Sequence, residues 1–293
     1  MARVGIIGAG LIGAKRAKAL RAEDKLIAVA DLSRERATAL ATSYGAEVET
    51  DWQKLVQRKD IDIVVVATSN NAIPICASEA LKNQKHILIE KPGGRNPTEL
   101  KSLLEISKTV NRAAKVGFNH RFHPAMLKAK SLIEEGAIGE LMYFRARYGH
   151  GGRIGYDKEW RANPEISGGG ELLDQGVHLI DLCRWMGGEF HLKSVESILS
   201  FGICLSRTMA FCFCARPTER DLRTFMQVAP NGKIFLILKF LAKKGNSKFG
   251  DWGEVMEPKN FATIESNPKW EYQNFHPLHS QKRTGLGNLS GKL

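Results

Sequence analysis

The chain has 293 residues and a formal net charge of +12. Its length favours two domains with sizeable cores, and no segment approaches the roughly 20 continuous apolar residues that span a bilayer. Residues 1–200 carry a net charge of +5 and residues 201–293 carry +7, but neither part has a basic helical stripe or an aromatic–arginine platform. The composition therefore argues against a nucleic-acid or membrane partner.

The five cysteines include no C-x-x-C pair and no Cys/His spacing typical of a metal site. Reduced thiols of this kind suit the cytoplasm, and the chain enters a predicted strand directly rather than through a signal peptide. We therefore expect a cytoplasmic protein with no metal ion.

The first predicted strand runs straight into the glycine pattern Gly8-x-Gly10-x-x-Gly13 and then a helix. This context favours a dinucleotide-binding turn over an ordinary glycine-rich strand-to-helix turn. Gly8 would permit the tight turn, Gly10 would admit a pyrophosphate, and Gly13 would let the helix lie close to its strand. We expect backbone N–H groups of this turn, including those of Leu11 and Ile12, to bind the phosphates.

The second predicted strand ends at Asp31. An acidic residue about 20 positions after the glycines accepts hydrogen bonds from the ribose hydroxyls and repels a 2′-phosphate, so NAD is favoured over NADP. Ser33 and Arg34 follow at once, and an arginine there could hold that phosphate, so NADP remains the alternative. A solvated turn acid would not explain why strand, glycines and spacing agree.

Strands and helices alternate up to about residue 120, which is typical of a doubly wound parallel sheet. Predicted helices cover residues 14–22, 34–44, 51–58, 77–83 and 98–110, and predicted strands cover residues 4–7, 26–30, 61–67, 86–90 and 114–118. In such sheets, ligands bind beyond the carboxyl ends of the strands. Polar residues gather at those ends. We expect cofactor contacts from Thr68, Asn70, Asn71, Glu90, Lys91 and Asn119, and His120 lies at the same edge.

The pattern changes after residue 122, so we divide the chain into a domain of residues 1–120 and a second domain of residues 121–293. The second domain starts with a predicted amphipathic helix over residues 124–135 and a strand over 141–148. A long glycine- and aromatic-bearing loop follows, and the next predicted helix covers residues 171–186.

Asp174 and His178 lie four residues apart within that last helix, so the carboxylate and the imidazole share one helical face. A histidine on a core-facing helix is more often structural than catalytic. The glycine-rich approach at residues 168–170 and the neighbouring acid favour a catalytic interpretation here.

Lys91 follows Glu90 at the end of a predicted strand and precedes Pro92, which biases it away from helical geometry. A lysine beside an oxidised nicotinamide should lose proton affinity through like-charge repulsion and desolvation. Such a lysine could serve as a general base, whereas the alternative is an ordinary surface lysine on a loop.

Together these motifs resemble the Gfo/Idh/MocA oxidoreductases in order and spacing. The resemblance rests on the glycine turn, Asp31, Glu90-Lys91-Pro92, Gly117–Phe122 and Gly168–His178, and it covers about residues 3–200. It implies an α/β protein in which a Rossmann domain precedes a second α/β domain with an open, mainly antiparallel sheet. It also implies a homo-oligomer.

The family's Glu-Lys-Pro lysine falls on Lys91, and its Asp-x-x-x-His pair falls on Asp174 and His178. The implied reaction is hydride transfer between nicotinamide and a carbinol carbon of a sugar, cyclitol or sugar nucleotide. Lys91 or His178 would take the hydroxyl proton, and Asp174 would orient the substrate or the imidazole. An alternative is a nucleotide-binding but inactive relative. The resemblance suggests substrate contacts from Lys91, His120, Arg121, Arg153, Tyr156, Trp160, Asp174 and His178.

From about residue 201 the chain departs from the family pattern. A cysteine-bearing segment, a charged run and a Lys/Gly/Ser-rich stretch stand where long alternating strands are expected. We therefore expect the second sheet to be incomplete. A frame slipped by two nucleotides over Met209–Gly245 permits an alternating peptide that resembles the family's continuation, so we interpret this part as translated out of frame.

We predict that the coding DNA, read in the slipped frame, spells a peptide of the form T-Q-W-K-N-L-F-D-F-E-V-F-G-K-K-G. Sequencing the gene checks this directly. The interpretation fails if no alternative frame encodes such a segment.

Overall fold

The structure, a computed structural model, describes residues 1–147, 155–170, 172–188, 211–213, 224–227 and 237–243. Its strands are β1 (Arg3–Ile7), β2 (Lys25–Ala30), β3 (Glu47–Glu49), β4 (Ile63–Val66), β5 (His86–Ile89), β6 (Ala114–Val116), β7 (Glu140–Arg147), β8 (Phe211–Phe213), β9 (Thr224–Gln227) and β10 (Ile237–Lys243). Its α-helices are α1 (Leu11–Lys18), α2 (Arg34–Tyr44), α3 (Trp52–Gln57), α4 (Ile73–Lys82), α5 (Pro97–Thr109), α6 (Pro124–Glu134), α7 (Pro164–Ser167) and α8 (Val177–Gly187). Three 3₁₀ turns cover Asn119–Phe122, Tyr156–Lys158 and Trp160–Ala162, and a π turn covers Leu172–Gly176.

The first six strands form one sheet in the order β3-β2-β1-β4-β5-β6. Every pairing in it is parallel. This confirms the predicted doubly wound sheet, and the order reverses between β1 and β4. Ligands of such sheets bind at that reversal, beyond the carboxyl ends of the strands.

Helices cover both faces of this sheet, so its central strands are apolar throughout, as in β4, where all four residues are buried. One face packs against α3, α4 and α5 and includes Leu55, Leu81 and Leu103. The other face packs against α1 and α2 and includes Ala17 and Leu40. No helix among the described residues is long and apolar enough to cross a membrane.

Local signals set several helix limits. Helix α2 has the predicted bounds, because the Ser33 side chain accepts a hydrogen bond from the Arg36 N–H and Gly45 takes a left-handed φ of 61°. Helix α1 begins at Leu11, earlier than predicted, and α4 begins at Ile73, where Pro74 occupies the first turn. The sequence pattern did not predict β3, a three-residue strand at the edge of the sheet.

The second sheet has the order β10-β7-β9-β8. Strand β7 is antiparallel to β10 and parallel to β9, and β8 is antiparallel to β9, so the sheet is mainly antiparallel as predicted. Helices α6 and α8 pack on β7 around Met126, Phe144 and Leu182. The separate cluster supports a domain boundary near residue 120, which stays a prediction.

The predicted continuous helix over residues 171–186 is wrong at its start. Residues Leu172–Gly176 form a π turn, and the α-helix begins only at Val177. Hydrophobic periodicity cannot distinguish a widened turn from a regular one, because both keep apolar residues on the same side. The difference matters because Asp174 lies inside the π turn.

Close packing of α1 on the sheet depends on Gly13, since a Cβ there would overlap the Gly8 carbonyl oxygen. We predict that Gly13→Ala lowers the free energy of unfolding by about 1–3 kcal/mol, the typical cost of an overpacked core. Urea denaturation measures this. Lys18→Ala, at an exposed position of the same helix, should change stability by less than about 0.5 kcal/mol. If the two variants are equally stable, close packing of α1 on the sheet does not depend on Gly13.

Candidate cofactor and catalytic site

The glycine turn lies between the carboxyl end of β1 and helix α1. Gly8 has a φ of 99°, and a Cβ there would lie 2.5 Å from the Ala67 carbonyl oxygen. A Cβ on Gly10 would meet nothing within 4 Å. The space beside Gly10 is therefore open, as a group approaching the backbone requires.

The same turn presents the start of α1. Gly10 is the N-cap of α1, no side chain caps that end, and the first turn contains no acidic residue. Backbone N–H groups and the positive end of the helix dipole are thus available for an anion. The eight-residue helix and the open space at Gly10 fit the diphosphate of a dinucleotide.

Asp31, at the end of β2, connects the glycine turn to helix α2. Its carboxylate accepts hydrogen bonds from the Ala9 N–H at 2.7 Å, the Ser33 N–H at 2.7 Å and the Arg36 guanidinium at 2.9 Å. Burial opposes ionisation, but these three donors outweigh it and lower the pKa of Asp31. Asp31 is therefore ionised at neutral pH. The arginine paired with it is Arg36, which the sequence did not predict, and Arg34 and Arg36 are both exposed.

Lys91 and Asp174 join the two halves of the site. The Lys91 Nζ donates to Asp174 Oδ1 at 2.7 Å and to the Asp174 carbonyl oxygen. Both side chains are less than one fifth exposed. Arg161 lies 3.8 Å from the same carboxylate oxygen, so Asp174 lies between two cations, one of which the sequence did not predict.

His178 is buried at the start of α8. Its ring stacks on that of His120 with centroids 3.9 Å apart, and the Phe118 ring makes an edge-to-face contact with a centroid distance of 6.1 Å. Burial, the neighbouring His120 and the positive charges of Lys91 and Arg16 hold the pKa of His178 well below its ordinary value. His178 is therefore neutral at physiological pH.

Glu90 has a partner that the sequence did not predict. Its Oε1 accepts from Arg16 Nε and Nη2, both at 2.5 Å, and both side chains are almost buried. Arg16 comes from α1, so this pair links the helix of the glycine turn to the strand end that carries Lys91. The predicted contact of Glu90 with the cofactor stays a prediction.

The 3₁₀ turn Asn119–Phe122 follows β6 and brings Asn119 and His120 to the same edge of the sheet. Arg121 donates two hydrogen bonds to the buried Asp181 carboxylate, from Nε to Oδ2 at 2.7 Å and from Nη2 to Oδ1. This pair fixes the turn against α8. A contact of Arg121 with substrate stays a prediction.

The loop after β4 makes a second link between the halves. Asn70 is buried and donates to the Ser167 carbonyl oxygen at 2.9 Å. Thr68 and Asn71 bond within the loop, through Ser69. Nearby, Arg95 donates to the Glu165 carbonyl oxygen at 2.7 Å. The loop is thereby held under the glycine-rich segment that leads to Asp174.

The proposed sugar-facing segment is described only in part. Arg153 lies outside the described residues, and Tyr156 is described only as the start of a 3₁₀ turn. Trp160 begins the next turn, with the Arg161 guanidinium 4.6 Å from its ring centre. Most of the segment interpreted as out of frame, Met209–Gly245, also lies outside the described residues. No group of three or more metal-ligating side chains occurs in the part that is described.

A doubly wound sheet with a glycine-rich turn after β1 and an acid at the end of β2 is typical of a dinucleotide-binding Rossmann protein. Residues 2–118 match the family model "Oxidoreductase family, NAD-binding Rossmann fold", and residues 126–201 match the "GFO/IDH/MocA C-terminal domain". The chain belongs to the Gfo/Idh/MocA family of NAD-binding oxidoreductases.

Relatives include a levoglucosan dehydrogenase of Pseudarthrobacter phenanthrenivorans, 34% identical over 210 residues, covering 67% of this chain and 53% of the relative. An inositol 2-dehydrogenase of Rubrobacter xylanophilus is 30% identical over 62% of this chain and 51% of the relative. A solved levoglucosan dehydrogenase in complex with NADH and levoglucosan shares the fold with a TM-score of 0.73, at 23% identity over 97% of this chain and 85% of that one. The chain spans about half the length of these two sequence relatives.

The open space at Gly10 gives a test of the diphosphate site. We predict that Gly10→Ser lowers NAD affinity at least about tenfold, because the side chain fills the space and its hydroxyl competes for the first-turn N–H groups. Calorimetric titration measures the affinity. The melting temperature should stay unchanged or rise, because serine is a good N-cap. Unchanged NAD affinity in a folded variant would exclude this turn as the phosphate site.

Proposed function

We propose that the chain is an NAD-dependent dehydrogenase that oxidises a CH–OH group of a sugar or cyclitol. The observation that carries the proposal is the contact of Lys91 with Asp174 beside a buried, neutral His178 at the carboxyl edge of the sheet. The names of the relatives, levoglucosan and inositol dehydrogenases, support the substrate class. A sugar nucleotide stays the broader alternative.

The cofactor would bind to residues at the carboxyl edge of the parallel sheet. Backbone N–H groups at Gly10–Gly13 would bind the diphosphate, and Asp31 would bind the adenosine ribose. Thr68, Asn70, Asn71 and Asn119 border the predicted nicotinamide end. Bound NAD supplies the hydride acceptor at its nicotinamide ring.

NAD is the expected form rather than NADP. Asp31 is ionised, and its charge would repel a 2′-phosphate. Its ion pair with Arg36 engages the nearest guanidinium, so a 2′-phosphate would have to break that pair to recruit Arg36.

At neutral pH, His178 is in the form that accepts a proton. Its imidazole is neutral, whereas Lys91 forms an ion pair with Asp174 and donates hydrogen bonds. We assign proton acceptance to His178 and stabilisation of the developing alkoxide to the Lys91 ammonium group. Asp174 orients Lys91. His120, Arg121, Arg153, Tyr156 and Trp160 are proposed to contact the remaining hydroxyl groups.

A second candidate is a nucleotide-binding relative without turnover. The family models stop at residue 201, and the chain covers about half of its sequence relatives. Thermal stabilisation by NAD without turnover on a panel of polyols and sugars would favour this candidate. Homo-oligomer formation and cytoplasmic location stay predictions.

Replacing Lys91 separates the roles of the two basic groups. We predict that Lys91→Met lowers kcat at least about 100-fold, because a cation that stabilises the alkoxide contributes at this scale. NAD affinity should fall much less than kcat, because most of the predicted cofactor contacts come from the glycine turn and Asp31. Turnover and NAD titration are measured on the same preparation, with Lys18→Met as the matched control. Retained turnover would remove Lys91 from the mechanism.

The pH dependence tests His178. Its pKa is lowered, so the neutral form persists below the ordinary histidine value of about 6.5. We predict that kcat/KM for oxidation stays level from pH 8 through pH 6.5 and falls only at lower pH. A profile that instead rises steadily through the alkaline range would assign proton acceptance to Lys91.

A further inference from the structure

The Arg16–Glu90 ion pair is close to two proposed catalytic groups, since Glu90 adjoins Lys91 in the chain and the charge of Arg16 acts on His178. Arg16 points from α1, and Glu90 precedes Lys91 at the end of β5. Two guanidinium nitrogens approach one carboxylate oxygen at 2.5 Å, and the side chains are 12% and 11% exposed. Charges this deeply buried persist only when they are paired, so each residue depends on the other.

Gly117 leaves the room that this pair occupies. A Cβ on Gly117 would lie 2.6 Å from Arg16 Nη2 and 3.3 Å from Glu90 Oε1. Three elements therefore meet at the pair: α1, the end of β5 and the end of β6. The Gly117–Phe122 motif begins at the point where a side chain would displace the guanidinium.

We propose that Arg16 is a positioning residue for the dehydrogenase site, because its ion pair with Glu90 directs Lys91 to Asp174 and keeps a positive charge beside His178. The proposal rests on the proposed function for its kinetic consequences. In this proposal Arg16 acts through Glu90 and Lys91 rather than on the substrate itself.

The first consequence concerns Lys91. Glu90 and Lys91 are neighbours in the chain, so a Glu90 carboxylate without Arg16 would compete with Asp174 for the Lys91 ammonium group. Because Arg16 on α1 pairs with Glu90, the Lys91 ammonium group can pair with Asp174, which belongs to the other half of the molecule. Small displacements of such a group lower rates strongly.

The second consequence concerns His178. The groups that act electrostatically on its imidazole are Arg16, Lys91 and the stacked His120. Arg16 is paired with Glu90 and Lys91 with Asp174, and Arg121, next to His120, is paired with Asp181. Replacing Arg16 alone would leave the Glu90 carboxylate unpaired and favour the imidazolium form. Replacing both members of the pair removes both charges and should perturb His178 less.

The experiment compares Arg16→Gln, the double variant Arg16→Gln/Glu90→Gln, and Gly117→Ala. Lys18→Gln, at an exposed position of α1, is the control for lost positive charge. For each, NAD affinity is measured by calorimetry, kcat and KM by turnover, and the His178 titration by NMR of the cofactor-free protein. NAD affinity should stay within about twofold, because the diphosphate-binding N–H groups lie at Gly10–Gly13.

We expect Arg16→Gln to lower kcat at least about tenfold with little change in KM, since it disturbs the positioned ammonium group. The His178 titration should move to higher pH in Arg16→Gln and less far in the double variant. If kcat and the titration in Arg16→Gln match those of Lys18→Gln, the proposal is overturned.

Gly117→Ala serves as the test if Arg16→Gln does not fold. Its added methyl group would displace the tip of the Arg16 side chain, which is flexible enough for the protein to fold. It should also raise the His178 titration and lower kcat, and wild-type values would overturn the proposal. Failure of the proposed function is a separate outcome. A wild-type protein without turnover on any polyol or sugar would refute the dehydrogenase, while the NMR titrations would still decide whether Arg16 acts on His178.

Discussion

The contact between Lys91 and Asp174 is the constraint on which the site depends. Lys91 stands at the end of a strand in the parallel sheet, and Asp174 stands in a π turn that belongs to the second half. Neither half contains both groups. The hydrogen bonds of Asn70 and Arg95 to the carbonyl groups before the glycine-rich segment hold the halves in the register that this contact needs.

Charge neutralisation explains why the cluster can be buried. Arg16 is paired with Glu90, Lys91 with Asp174 and Arg121 with Asp181, so each of these cations has a carboxylate partner. Most of these side chains are largely withdrawn from water, where an unpaired charge would be costly. Burial, together with the neighbouring His120 and the positive charges of Lys91 and Arg16, lowers the pKa of His178 and keeps it neutral. A neutral imidazole is a form that can accept the proton of an alcohol.

The sequence predicted the parts of this protein that follow from local pattern. The glycine turn, the alternation of strands and helices, and the bounds of α2 all follow from spacing, capping and burial within short segments. It could not predict Arg16, Arg36 or Arg161 as ion-pair partners. Many arginines are available to each acid, and only the packed fold selects one. The π turn at Leu172–Gly176 was not predicted for a related reason. Its Asp174 carbonyl oxygen accepts a hydrogen bond from Lys91, which lies more than 80 positions earlier in the sequence.

The two proposed functions of the site, nucleotide binding and catalysis, depend on different hydrophobic cores. The phosphate turn and Asp31 are carried by β1, β2, α1 and α2, whose buried cluster lies within the first half. His178 is carried by α8, which packs on β7. In the second sheet β7 is paired with β9 and β10, which come from the segment where the sequence departs from the family. An unpaired sheet edge is prone to aggregation and leaves its covering helices less stable. A defect in that segment would therefore loosen α8, and with it His178, before it reached the nucleotide-binding turn. Coenzyme binding would then survive the loss of catalysis.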